Sequence, residues 1–363
     1  MPMDDTDRKL LNLIQTEVPV AARPYAMLGE RLGGLGEAEV MARLRALKTD
    51  RVVRQISAIF DTRSLGYQSS LVAVQCDPRR ENEVAVVIDA HPGVSHNYRR
   101  NHAYNLWYTI AVAPNSKLGL ERTVRILHET SGAIVTRLMP TLHLFKIGVE
   151  LDVEGTAPAD AKGEVRYSQK NRTLHASLTE REMRFVCEMQ RDLAIEPEPF
   201  AAMTARLGVS LEQLQQLAAG LRADGKMRRF SAVLNHRRAG FTANGMGVWA
   251  VRSGTDEEIL RIGEKMAAFR AVSHCYRRPT YEDWPYNIFT MVHARTVADC
   301  DAVLAEISRE TSVAEYAALY STREYKKTRV EYFSEAEREW EARHADAGPA
   351  VTDQDEARHA KAR

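Results

Sequence analysis

The sequence predicts an α+β fold written twice in tandem. Each copy is a winged helix-turn-helix-like unit of three helices followed by a ferredoxin-like unit of β-α-β-β-α-β order. Three observations carry the prediction. The hexapeptide SHNYRR at 95–100 returns as SHCYRR at 273–278. Its surroundings repeat too: LKTDRVVRQISAIFDTRSLGY (47–67) aligns without a gap to LRADGKMRRFSAVLNHRRAGF (221–241), pairing Ser57 with Ser231 and Gly66 with Gly240. Finally, RPYAMLGERLG (23–33) resembles EPFAAMTARLG (198–208), and YNLWYTIAVA (104–113) resembles YNIFTMVHAR (286–295). A period of about 175 residues is far too long for a solenoid unit, so the chain is a duplicated domain pair.

The elements of one copy follow in order. In DDTDRKLLNLIQTE the apolar Leu10, Leu11, Leu13 and Ile14 recur at helical spacing behind an Asp/Thr start. A second helix opens at Pro24, where a missing N–H costs nothing, and stops at Gly33 and Gly34. A third runs from about Glu37 to Lys48. VVRQISAIFD and YQSSLVAVQCD then read as strands, ENEVAVVIDAHPG as a helix, and GVSHNYRR and YNLWYTIAVA as paired strands. LGLERTVRILHETSG reads as a helix and VTRLMPTLHLFKIGVELD as one last long strand. The predicted boundaries are 1–60 and 61–152 for the helical and ferredoxin-like units of the first copy, and 174–234 and 235–333 for those of the second. A polar linker at 153–173 joins the copies, and a charged tail at 334–363 begins as an exposed helix around Trp340.

Bulk composition narrows the class. A hydrophobic fraction of 44% and a charged fraction of 27% are those of a globular protein, and no apolar run approaches a membrane span, so a cytoplasmic protein without membrane contact is expected. Fifty basic residues against forty-nine acidic ones leave no global field to attract nucleic acid. Cys76, Cys187, Cys275 and Cys300 are scattered without a C-x-x-C pair, which argues against a metal knot or a disulfide framework.

A helix-turn-helix raises the question of DNA. The opening Asp4, Asp7, Leu11, Ile14 and Gln15, with a ferredoxin-like domain behind it, resembles the Lrp/AsnC transcription regulators. A recognition helix needs basic side chains at its inserting end. Here the third helix places Glu37 and Glu39 there, and its counterpart SLEQLQQLAAGLRAD offers only Arg222. A helical scaffold that no longer reads DNA is therefore expected, with a DNA-binding regulator as the alternative.

The duplicated motif carries the chemistry. On a strand, alternate residues share a face, which groups His96, Tyr98 and Arg100 against Ser95, Asn97 and Arg99, and likewise His274, Tyr276 and Arg278 against Ser273, Cys275 and Arg277. A histidine, a phenol and a guanidinium together supply a proton donor, an orienting hydroxyl and a carboxylate clamp. Beyond the motif, the first copy adds His102, Tyr104, Asn105, Trp107 and Tyr108, and the second adds Tyr281, Trp284, Tyr286, Asn287 and Phe289. Aromatic surface beside Arg and His suits a large flat polyanion. The competing reading makes the arginines interface ion-pair partners and the His and Tyr packing residues. His102 has no counterpart, since Thr280 or Tyr281 stands in its region.

GVSHNYRRNHAYNLWYT and VSHCYRRPTYEDWPYNIF, each preceded by ISAIFDTRSLGY or FSAVLNHRRAGF, resemble the two subunit types of the sirohaem decarboxylases, a family descended from the Lrp/AsnC regulators. The resemblance spans 1–152 and 174–333 and implies both subunit types fused in one chain, a form familiar in haem d1 synthesis and less so in the alternative protohaem route, either of which it could serve. It implies removal of the C12 and C18 acetate carboxyl groups of sirohaem, giving 12,18-didecarboxysirohaem. No cofactor is implied, since iron enters only as part of the substrate, and no metal site is expected. His96, His274 and His102 become the catalytic candidates, as proton donors. Tyr98, Arg99, Arg100, Tyr104, Asn105 and Trp107 become substrate-binding candidates in the first copy, with Tyr276, Arg277, Arg278, Trp284 and Asn287 in the second. The copies are expected to pair as an intramolecular pseudo-dimer, a higher oligomer or a second fused chain being left open.

Overall fold

The computed structural model describes residues 3–147, 178–234, 243–252 and 255–345. The predicted linker at 153–173 lies outside these residues, as does the tail beyond 345. Each copy begins with three helices: α1 (Asp5–Thr16), α2 (Pro24–Arg31) and α3 (Glu37–Thr49) in the first. In α1, Asp4 and Asp7 cap each other's backbone N–H groups, which starts the helix where the acidic cluster predicts.

The remaining elements of the first copy are β1 (Val53–Phe60), β2 (Gln68–Gln75), α4 (Glu81–Asp89), β3 (Val94–Arg100), β4 (Leu106–Val112), α5 (Gly119–Ser131), β5 (Val135–Met139) and β6 (His143–Ile147). The second copy contains α6 (Glu180–Met189), α7 (Ala201–Leu207), α8 (Leu211–Ala223), β7 (Met227–Leu234), β8 (Ala243–Trp249), α9 (Asp256–Ala267), β9 (Val272–Arg277), β10 (Ile288–Ala294), α10 (Val297–Thr311) and β11 (Tyr316–Lys327), and α11 (Glu335–His344) follows it.

The two copies build their layers together. β1 and β7 form an antiparallel ribbon in which Ser57 faces Ser231, the residues aligned by the repeat. Beneath the ribbon one core is shared by both helical units: Leu10, Ile14 and Leu28 pack in the same cluster as Phe185, Phe200 and Phe230. The other strands form one sheet of order β5-β2-β4-β3-β11-β8-β10-β9-β6 among the described residues. Within each copy the neighbours run β5-β2-β4-β3 and β11-β8-β10-β9, with the last strand of the repeat beside the first.

One expectation fails at this level. The last strand of the first copy is not a single strand in its own sheet. Pro140, which has no N–H to give a ladder, separates β5 from β6, and β6 leaves to pair with β9 of the second copy. Its counterpart β11 runs unbroken but changes partner midway, from β8 at Tyr316–Tyr320 to β3 from Ser321 onward. Each copy's terminal strand thus completes the other copy's sheet. Both departures follow left-handed residues that end the preceding helix, Gly132 at φ 71° and Ser312 at φ 59°.

A second correction concerns the tail. α11 is not an exposed helix around Trp340, because that indole is buried on the first copy, edge-on to His91 (4.3 Å) and stacked on His344 (4.1 Å). Glu337 pins the same helix by accepting from the Ala113 N–H (2.9 Å).

Candidate active site

The strand carrying SHNYRR sorts its side chains by face. Asn97 donates to Asp89 of α4 (2.9 Å), and Arg99 reaches Glu81 at the start of the same helix (3.2 Å) and donates to Thr322 of β11 (2.8 Å). These lie on the helix-covered side. His96, Tyr98 and Arg100 lie on the other, where Trp107 is the cross-strand neighbour of Tyr98. The same ladder stands in the second copy, with Phe289 opposite Tyr276 and with Arg277 paired to Asp256 of α9 (2.7 Å). The rings superpose in kind: His96 stacks on Tyr98 at 6.2 Å and His274 on Tyr276 at 6.1 Å. Arg100 sits 6.0 Å over Tyr98, and Arg278 sits 4.8 Å over Tyr276.

Strict alternation misplaces one residue type. A bulge between Val94 and His96 brings Ser95 to the histidine's side, where its Oγ lies 3.0 Å from His96 Nδ1 and 2.8 Å from Thr109 Oγ1. The second copy has the same irregularity, and Ser273 Oγ lies 2.8 Å from His274 Nδ1. A hydroxyl at Nδ1 fixes each ring plane and leaves Nε2 to point elsewhere. The duplicated Ser-His pair was the signal available in the sequence.

The paired arginines are not free clamps. Arg100 is 6% exposed, and its guanidinium donates to the Leu319 carbonyl of β11 (2.8 Å). Arg278 donates to the equivalent Met139 carbonyl of β5. Each therefore holds the terminal strand of the other copy at its crossing point. Burial lowers both guanidinium pKa values to about 10. In both, Nε is buried with no hydrogen-bond partner among the described residues.

Asn105 and Asn287 play matching parts. Asn105 bridges the Cys76 backbone and Glu81, and Asn287 bridges both backbone groups of Val251, closing the strand connections. Trp107 is buried and donates to the Tyr104 carbonyl (2.8 Å). The Tyr104 hydroxyl donates to Asp283 (2.7 Å) on the longer loop of the second copy. That loop inserts Trp284 among Tyr104, Tyr286, Trp107 and Phe289 at ring distances of 5.4, 5.0, 5.3 and 6.1 Å. These are two equivalent pairs, so Trp284 packs between matching residues of the two copies, with its indole N–H buried and unpartnered among the described residues. His102 touches Trp284 edge-on (5.3 Å) and lines an open pocket of about 420 Å³ with Arg99, Arg100, Asn105, Cys76 and Thr322. The predicted residues thus divide between this pocket at the strand ends and the two ladders.

The ladder histidines are held neutral. Burial lowers the His96 pKa, Lys327 lowers it further and Glu324 partly offsets them. His274 falls to about 4 through burial, then His293 and Lys146. Burial alone lowers His102. Lys327, Glu324 and His293 escaped the sequence reading. Lys327 joins the site only through strand exchange, whereas His293 was visible as a histidine aligned with Ala111.

Known proteins resemble this chain along most of its length. A family model described as "AsnC-like ligand binding domain" matches residues 64–146 and 238–326, and a "Siroheme decarboxylase NirDL-like HTH domain" matches 7–54. The chain is 39% identical over 332 residues to the siroheme decarboxylase of Hydrogenobacter thermophilus, covering 92% of this chain and 96% of that one. A half-length relative, the siroheme decarboxylase beta subunit of Methanosarcina barkeri, is 44% identical over 142 residues, 39% of this chain and 91% of its own. The crystal structure of siroheme decarboxylase NirDL in co-complex with an iron-uroporphyrin III analogue superposes with a TM-score of 0.74 at 34% identity, covering 94% of this chain and 99% of that one. At this identity and coverage, the chain belongs to the sirohaem decarboxylase family.

Proposed function

We propose that this protein is a sirohaem decarboxylase that takes the carboxyl groups from the C12 and C18 acetates. The observation that carries the reading is the duplicated His-Tyr-Arg ladder on a strand-exchanged pair of copies, in a chain that covers 99% of a decarboxylase crystallised with an iron tetrapyrrole. Each acetate loses carbon dioxide, the electron pair left on its methylene carbon spreads into the macrocycle, and a proton completes the methyl group. His96, His274 and His102 are the proposed proton donors. In the empty protein the lowered pKa values keep them neutral, and substrate carboxylates beside them favour the protonated form, so substrate entry itself charges the acid. Tyr98 and Tyr276 flank the histidines, with Arg100 and Arg278 over their rings. Arg99, Arg277, Tyr104, Asn105, Trp107, Trp284 and Asn287 shape the surrounding wall. No organic cofactor is proposed, because the iron macrocycle is both substrate and electron sink.

The proposal includes the finer architecture: tandem winged helix-turn-helix and ferredoxin-like units with the boundaries given above, paired as an intramolecular pseudo-dimer. The regulator alternative is disfavoured by where the basic residues of α3 go. Arg43 is gripped by Asp4, Asp7 and Glu39, while Arg45 donates to the Ile195 carbonyl (2.6 Å) and Lys48 pairs with Asp192 (2.5 Å) of the second copy. Glu37 is paired with Arg23. In α8, Arg222 is paired with Glu17 (2.8 Å). Phosphates would have to displace these partners. No described helix is long and apolar enough to cross a membrane.

Anaerobic incubation with sirohaem, followed by mass analysis, tests the reading. Loss of two carboxyl groups is expected. An unchanged, bound substrate would leave a tetrapyrrole carrier, and a sequence-specific shift of duplex DNA would restore the regulator.

A further inference from the structure

The β1–β7 ribbon carries a polar feature that its core does not require. Ser57 and Ser231 face each other across the two strands and are fully buried, although they alternate with Ile56, Ala58, Phe230 and Ala232, the residues that enter the apolar core. Each hydroxyl holds a guanidinium. Arg229 donates from Nε to Ser231 Oγ (3.0 Å), and Nη1 of Arg329 lies 3.4 Å from Ser57 Oγ. Opposed residues of an antiparallel pair stand about 4.5–5.5 Å apart, so the two arginines are gathered over one spot. Arg228, next along β7, is paired with Asp61, whereas Arg229 and Arg329 are exposed and meet no carboxylate among the described residues. The segment bearing Arg329 also leads to the histidine ladder. The Thr328 N–H donates to the Ser95 carbonyl (2.8 Å), and Ser95 Oγ lies 3.0 Å from His96 Nδ1.

We propose that Arg229 and Arg329 form a clamp above the Ser57–Ser231 pair for a carboxylate that sirohaem keeps, holding the macrocycle by its rim while its acetates react at the ladders. The inference rests on the sirohaem reading. An arginine bonded to serine through one nitrogen retains the rest of its planar fork for a second acceptor. Two such forks side by side repel each other until an anion lies between them, and a carboxylate matches both in shape and charge. The buried hydroxyls fix where the forks stand. Ser57 belongs to the first copy, and Arg229 and Ser231 to the second, so the clamp exists only where the copies pair.

The test uses the full-length chain with iron uroporphyrin III, titrated anaerobically by visible spectrum, and then sirohaem in single turnover. Arg229→Met and Arg329→Met should each weaken binding by about tenfold, with the loss shrinking as salt is raised. The sirohaem concentration that gives half-maximal carboxyl loss should rise by the same factor. Arg329→Lys should recover only part of the affinity, because an ammonium restores the charge without the fork. Arg252→Met removes the same charge from an exposed pair with Glu315 and should bind as wild type, which separates a clamp from general attraction. Binding within about twofold of wild type in both Met variants at 229 and 329 would overturn the inference, as would an equal loss in Arg252→Met or a loss of turnover that saturating sirohaem does not restore. If the wild-type chain binds no iron tetrapyrrole, the reading of function falls and the clamp falls with it.

Discussion

Arg100 and Arg278 show how much a single side chain can be asked to do. Each is buried, bonded to a carbonyl of the opposite copy and positioned over a tyrosine. Truncating either one removes a charge-assisted hydrogen bond and strands a buried carbonyl. Arg100→Ala and Arg278→Ala should therefore each cost about 1.5–3 kcal/mol, read as a lower urea midpoint. Arg99→Ala, at a 41% exposed ion pair, should cost less than about 1 kcal/mol. Equal losses in the two classes would contradict the assignment. A pH prediction belongs to His274. Its folded pKa of about 4 lies below the ordinary 6.5, so the unfolded chain takes up a proton that the folded chain refuses. Stability present above pH 6.5 is then lost as pH falls toward about 4, by up to about 3 kcal/mol. His274→Gln should flatten that part of the stability–pH curve. At this scale the sequence was readable in part. It named the His-Tyr-Arg face correctly, but alternation assigned Ser95 and Ser273 to the wrong side, because a bulge is an extra residue that period-2 reasoning cannot place.

Among the elements, those with local signals were legible. The capped helices and the β3–β4 pair follow from side-chain chemistry within a few residues, and they formed where expected. The long strand after α5 did not, because its fate depends on a partner more than a hundred residues away: β6 pairs with β9. The charge of α11 hid its anchor in the same way. Polar on most sides, this helix reads as exposed, yet it docks through Trp340 and Glu337. Trp340→Ala should remove about 3 kcal/mol of packing and release the helix. Rapid amide exchange across 335–344, with the sheet still protected, is the expected signature. Unchanged exchange would mean that the Ala113–Glu337 bond suffices.

The whole molecule depends on exchange between copies. Among the described residues β1 pairs only with β7, β6 only with β9, and β11 bridges β8 and β3. Each copy's four strands are extended by a strand of the other copy, and the helical units share one core. Expressed separately, the halves should remain unfolded or aggregate; co-expressed, they should purify as a one-to-one complex that retains activity. A monodisperse, folded, monomeric half by light scattering would refute this.

Trp284 adds a rule of composition. Its indole packs against Trp107 of one copy and Phe289 of the other, and the short 101–104 connection of the first copy has no counterpart to it. Two second copies brought together would each present an indole to the same place and collide, whereas two first copies would leave a void there. Trp284 is therefore expected to favour pairing of unlike copies even without a covalent link, which co-purification of separately tagged halves carrying Trp284→Ala checks. Joining the copies in one polypeptide then raises their effective concentration without having to teach them which partner to choose.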